Sequence, residues 1–384
     1  MKIKLPTARG KRESYHLRGE PLAIKPPHTR FNRIAFAAAH VVADPTSNAD
    51  PSGRPALDWG ATLAYRRYLL DQGFGIAEAM DTSQRGIGLD WPTALDLIRR
   101  SLADAGPRAA MIYSGCGTDH LAPGDADSLD DVARAYLEQL HAIQKFGGRI
   151  ILMASRALVR VAKSPEDYIK VYSRVLAEAD HPVILHWLGE MFDPQLRGYW
   201  GCADFAATME TALETIEVNA AKVDGIKISL LDEQKEMAMR RRLPKAVKMY
   251  TGDDFNYPHL IEGDAQGFSH ALLGIFDAIA PAASQGLAAL AEGKTKTFHE
   301  LLDPTVPLSR LIFRAPTQFY KTGVVFLAWL NGHQDHFVMV AGAQAMRPLP
   351  YFVEIFKLAD QARLLRDPER AVKRMKKLLS VYGQ

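Results

Sequence analysis

The chain has 384 residues, 47% of them hydrophobic and 24% charged, with only two cysteines. That is the make-up of a globular protein with one large domain plus additions, or two ordinary domains, and it excludes a disulfide framework and a cysteine-built zinc site. The net charge of +3 is local: residues 1–30 hold eight Lys/Arg against Glu13 and Glu20, leaving 39 basic and 42 acidic residues elsewhere. Neither nucleic acid nor a membrane is therefore an expected partner, and the basic, Pro-rich arm is expected to pack along a neighbouring surface or subunit. The longest apolar run, Gly323 to Leu330, falls far short of the roughly 18 residues a membrane helix needs. The first twenty residues have no apolar core, so a cytoplasmic address is expected.

In chain order, short apolar β-rich runs alternate with amphipathic helical stretches. RIAFAAAH (33–40) is followed by ALDWGATLAYRRYLLDQG with a terminal Gly73, then FGIAEA (74–79) and WPTALDLIRRSLADAG. RAAMIYS (108–114) precedes a helix opening at Ser128, and RIILMAS (149–155) precedes one opening at Ser164 before Pro165, the cap-then-proline start. HPVILHW (181–187), VDGIKIS (223–229), AVKMYTG (246–252) and QGFSHALLG (266–274) complete eight strands. A doubly wound open sheet would have fewer strands and a glycine-rich turn after the first. The pattern predicts a (β/α)8 TIM barrel over residues 31–290, between an N-terminal arm (1–30) and a C-terminal helical extension (291–384).

In such a barrel the chemistry sits at the C-terminal ends of the strands. Alternation in VDGIKIS puts Val223, Gly225, Lys227 and Ser229 on one face and Ile226 and Ile228 on the other. A lysine on the inward face of an apolar strand is costly as an ammonium unless it is paired or its pKa falls. A lowered pKa is what Schiff-base formation with a ketone or aldehyde requires; a structural salt bridge is the alternative. The same counting places His186 at the end of its strand beside Lys227, His40 in phase with Ile34 and Phe36, and Glu78 in phase with Phe74 and Ile76. Asp81, Thr82 and Ser83 follow; Tyr113 ends the third strand, Asp253 and Asp254 the seventh, and His270 lies in the eighth.

These segments resemble the dihydrodipicolinate synthase / N-acetylneuraminate lyase family of class I aldolases. VDGIKIS is similar to that family's v-G-I-K-e/d-S/T Schiff-base strand, with Lys227 at the lysine. HPVILHW is similar to l-P-v-i-l-Y-N, YTGDD to l-s-G-d-D, and EAMDTSQRG lies where G-T-T-G-E is usual. The resemblance spans about residues 31–375 and marks a divergent branch. His186 replaces the proton-shuttling tyrosine, Asp81-Thr82 replaces the Thr-Thr pair that holds a pyruvyl carboxylate, and P-x-R-T-G gives way to LGEMFDPQLRGYWG. An acid at that loop disfavours an anionic group by like-charge repulsion, arguing against the usual pyruvate and semialdehyde substrates.

The expected function is that of a Schiff-base-forming aldolase, lyase or dehydratase acting on a 2-keto acid or keto-sugar. Lys227 is the nucleophile, and His186 the first candidate for general acid–base, ahead of Tyr113 and Glu78. Thr82, Ser83, Asp81, Asp253, Asp254 and His270 are expected to bind substrate oxygens. No cofactor is required, because the lysine supplies the electron sink, and the resemblance implies a homodimer or homotetramer. The competing enzyme reading is a metal-dependent isomerase, epimerase or lyase holding Mn²⁺, Mg²⁺ or Zn²⁺ through His40, Glu78, Asp81, His120, His186 and His270. A third reading is a non-catalytic barrel whose Lys227 is salt-bridged to Glu78 or Asp253. The sequence His333-Gln334-Asp335-His336 reads as a solvated turn.

Overall fold

The computed structural model describes residues 1–7, 11–122 and 124–384; Arg9 of the basic arm lies outside the described residues. Two strands precede the barrel, β1 (Lys2–Pro6) and β2 (Arg12–His16), paired as an antiparallel hairpin. The eight predicted strands follow as β3 (Ala35–Ala38), β4 (Gly75–Glu78), β5 (Ile112–Cys116), β6 (Arg149–Leu152), β7 (Val183–Leu188), β8 (Val223–Ser229), β9 (Lys248–Thr251) and β10 (His270–Leu273). They pair in parallel, in sequence order, and close when β10 meets β3. Closure removes both sheet edges and gives each strand one face toward the lumen and one toward the helices.

The sequence accounts for both faces. Phe36, Ala77, Tyr113, Ile151, Ile184, Tyr250 and Leu272 fill the lumen as one buried cluster. The alternate residues, such as Ile76, Ile112, Leu185, Ile226 and Ile228, join the larger core beneath the helices. The helix starts are as expected: Ser128 and Asp131 form a capping box, and so do Ser164 and Asp167 ahead of the helix that begins at Pro165. Gly73 closes the Trp59–Asp71 helix region at φ +88°, a backbone state that favours glycine.

After β10 the chain is helical. The Tyr320–Leu330 helix, which contains the apolar run noted above, is buried at all eleven positions, the fate of a helix that is hydrophobic all round. None of the described helices is long and apolar enough to cross a membrane. The arm docks on the chain's own C-terminal region: Ile3 and Leu5 enter the core, and Tyr15 donates to Asp360 Oδ2 at 2.7 Å on the Leu349–Gln361 helix. The 333–336 turn is not simply solvated, because the His333 ring packs on Tyr65 and Tyr68, at 4.9 and 4.5 Å.

Candidate active site

Strand β8 delivers Lys227 into the lumen near the C-terminal rim, level with His186 of β7 and Tyr250 of β9. The side chain is buried, with 7% of its surface exposed. Space for its stem depends on Gly252, where a Cβ would stand 2.7 Å from Lys227 Cε, 2.6 Å from the Ile228 carbonyl and 2.3 Å from Ser229 Oγ. Above the lysine lies a small, narrow pocket, walled by Asp81, Thr82, Ser229, Asp254 and Tyr320 among others. The 81–83 turn follows β4, and Asp254 follows β9.

The roof comes from outside the barrel. Phe313 and Tyr320 stack at 4.3 Å, Phe192 meets both edge-on, and Tyr320 Oη lies 2.7 Å from Thr82 Oγ1. Next to Tyr320, Lys321 is buried and its ammonium donates to the Gln318 carbonyl at 3.2 Å. Sequence reasoning missed Phe313, Tyr320 and Lys321 because it treated their segment as an appendage. The signal was a Tyr-Lys pair heading an otherwise apolar helix, where nothing but a polar pocket would accommodate a lysine.

Burial lowers the Lys227 pKa below the ordinary lysine value, while the carboxylates of Asp81 and Asp254 pull it back up. Burial pushes Asp254 up to about 7, against the opposing pull of the Ile275 amide, which donates to Oδ1 at 2.9 Å, and of Lys227. Lys321 is brought down to about 8 by burial, opposed by Asp81 and Asp193. His186 is held well below the usual histidine range, first by burial and then by Lys227. Its Nε2 lies 3.2 Å from Ser229 Oγ, and its buried Nδ1 has no partner among the described residues. The arrangement is an amine able to shed its proton, a carboxyl that titrates near neutrality, and a neutral imidazole.

Lys227, His186, Asp81, Thr82 and Asp254 are thus gathered on one rim, whereas other expected residues are not. Glu78 points away from the lumen: Arg66 grips it through Nε and Nη2 at 2.9 and 2.8 Å, and Ser101 donates at 2.6 Å. Its phase with Ile76 was right, but that face looks toward the helices. Tyr113 does face the lumen, yet β5 begins at Ile112, so the ring lies at the N-terminal end against Phe36 with its hydroxyl 3.0 Å from Arg149 Nη1. His270 opens β10 at that same end, where Nδ1 accepts from the Ile34 amide and burial brings its pKa down to about 4.

Ser83 is occupied by the Ala39 carbonyl at 2.6 Å, and Asp253 caps its own turn by accepting from the Phe255 and Asn256 amides. The metal set is dispersed as well. His40 pairs with Asp277 at 2.8 Å, His120 accepts from Gln139 at 2.8 Å near Glu138, and no group of three potential ligands occurs among the described residues. The salt bridges imagined for Lys227 fail on position, since Glu78 belongs to Arg66 and Asp253 to its turn.

A family profile described as "Protein of unknown function (DUF993)" matches residues 3–384. No curated protein matches the sequence. Among solved structures, the chain is similar to the dihydrodipicolinate synthase of Acinetobacter baumannii complexed with pyruvate, at 16% identity and a TM-score of 0.63, covering 86% of this chain and 99% of that one. It is also similar to the 4-hydroxy-tetrahydrodipicolinate synthase of Methylacidiphilum fumariolicum SolV, at 15% identity and 0.64, covering 91% and 98%. A prophage protein of the dihydrodipicolinic acid synthase family from E. coli K12, in complex with pyruvate, gives 15% and 0.64 over 87% and 99%. At these identities the likeness is one of fold, and the fold is the one the sequence resemblance implied.

Proposed function

Because the chain belongs to the DUF993 family, described only as of unknown function, its chemistry has to be read from its own residues, and we propose that it is a class I, Schiff-base-forming lyase or aldolase acting through Lys227. The observation that carries this reading is a primary amine, buried and lowered in pKa, facing a small pocket beside two carboxyls. The neutral amine adds to a carbonyl carbon, the oxygen takes up a proton, and loss of water leaves an iminium bonded to Lys227. The iminium accepts the electron pair released when an adjacent C–C bond breaks or an α-proton leaves; the reverse steps form that bond.

Proton movement falls to Asp254, whose pKa near 7 lets it donate to the carbinolamine oxygen and be reprotonated at physiological pH. The Asp81 side chain, whose charge supports the cationic form of Lys227, favours the iminium and disfavours a second anion at the carbonyl end. The Thr82–Tyr320 pair offers hydroxyls to substrate oxygens. His186, kept neutral, serves as an acceptor through Nδ1 rather than as an acid. No cofactor enters this scheme, and a homodimer or homotetramer is part of the proposal. The pyruvate bound by two of the structurally similar proteins makes 2-keto acids one arm of the test, and small uncharged ketones, which Asp81 does not repel, the other.

The test is intact-mass analysis after borohydride reduction with a panel of 2-keto acids and keto-sugars, using wild type and Lys227→Ala, with and without EDTA. A covalent adduct that requires Lys227 and survives EDTA is the expected result, and its mass identifies the carbonyl compound. An adduct of equal yield in Lys227→Ala, or none with any carbonyl, overturns the reading.

A further inference from the structure

Beside the Lys227 pocket lies a larger cleft over the C-terminal ends of β4 to β7. The two adjoin at Asp81 and Leu188, which line both. The cleft's charges cancel in pairs. Arg85 is bidentate to Asp119, at 2.7 and 2.8 Å, and Arg156 Nε meets Asp193 Oδ2 at 2.6 Å. Two lining charges are left over: Asp81 at the inner end and Arg160, whose Nη2 donates to the Ala126 carbonyl and which has no carboxylate in ion-pair contact among the described residues.

Arg156 and Arg160 lie one turn apart on the short Arg156–Val161 helix, so both guanidinia line the same wall. Between the poles the lining is partly apolar, with Met153, Leu188 and Leu196. A carbon chain suits that middle, a developing cation suits Asp81, and an anion suits Arg160.

We infer that this cleft holds the remainder of the carbonyl substrate, a carbon chain ending in a carboxylate or phosphate that Arg160 receives with the free N–H groups of Arg156. The inference rests on the Lys227 reading and adds the substrate class: a carbonyl compound whose anionic group is remote from the carbonyl. It is compatible with the repulsion Asp81 exerts on an anion at the carbonyl end itself.

Borohydride trapping gives the test. Levulinate and its longer homologues are each compared with their methyl esters, and dihydroxyacetone phosphate with dihydroxyacetone, by the concentration that half-saturates the adduct. In wild type, at least one charged compound should half-saturate at a concentration about tenfold lower than its neutral counterpart, and the responding series identifies carboxylate or phosphate. The ratio should fall to about one in Arg160→Gln and return in Arg160→Lys. A wild-type ratio of one in every pair, or a preference that survives Arg160→Gln, overturns the inference. Should no ketone be trapped at all, the Lys227 reading fails by itself. Calorimetry with glutarate and with inorganic phosphate then decides the anion site: binding lost in Arg160→Gln sustains it, and absence of binding to wild type overturns it.

Discussion

Glu78 separates a structural role from a chemical one. Its carboxylate accepts four hydrogen bonds, two from Arg66 and one each from Ser101 and the Ala79 amide, and both members of the ion pair are buried. Arg66, which sits on the Trp59–Asp71 helix, also donates to the His40 carbonyl, so the pair ties that helix to the end of β4 and to the segment after β3. Glu78→Gln leaves the guanidinium buried without a counter-charge, a change that costs about 3–5 kcal/mol. Unfolding entropy of about 2.1 cal/mol/K per residue gives roughly 0.8 kcal/mol/K for the chain, so Tm should fall by about 4–6 °C. The assay is thermal unfolding run beside borohydride trapping. The double replacement Glu78→Leu with Arg66→Met, which removes both charges, should recover most of the loss. An unchanged Tm together with abolished trapping would refute the reasoning and return Glu78 to the chemistry.

Other consequences are open to measurement. Gly252→Ala should reduce the trapping rate by about tenfold or more through displacement of Lys227, at a stability cost of about 1–3 kcal/mol from the contact with the Ile228 carbonyl; normal trapping would show that the lysine stem has room to spare. Between about pH 5 and 10 the trapping rate should rise as Lys227 loses its proton and fall as Asp254 loses its own, with the limb near pH 7 vanishing in Asp254→Asn; an unaltered profile would exclude Asp254 as the acid. Glu236 is buried and raised to about 8, so it stays protonated in the folded chain while an unfolded chain ionises it. Its stability contribution is therefore complete below the ordinary glutamate value of 4.5 and is lost as pH rises from there to about 8. Glu236→Gln should be more stable than wild type by on the order of 4 kcal/mol at pH 8 but not at pH 4; parallel Tm curves for the two proteins would contradict this.

The barrel was legible because each strand is a compact apolar run and each helix carries a cap or a glycine stop. Lys227 was legible because Gly225 and the flanking isoleucines give β8 an unambiguous alternation. Glu78 shows the limit of that argument: every residue of GIAE is buried, so hydrophobic contrast does not say which face is the lumen. Tyr113 and His270 were misplaced because their strands begin later than the apolar runs suggest, which exchanges rim for base. Tyr320 meets Thr82 across 238 positions of chain, a separation over which no local periodicity carries information.

The roof also sets an order of events during synthesis. Lys227 enters its strand well before Phe313 and Tyr320 have been made, and Tyr15 of the hairpin waits for Asp360, 345 residues downstream. A ribosome that stalled between those points would leave a barrel open at the rim, with the lysine in water and at its ordinary, unreactive basicity. On the proposed chemistry, the amine gains its nucleophilicity only when the Tyr320–Leu330 helix docks over it.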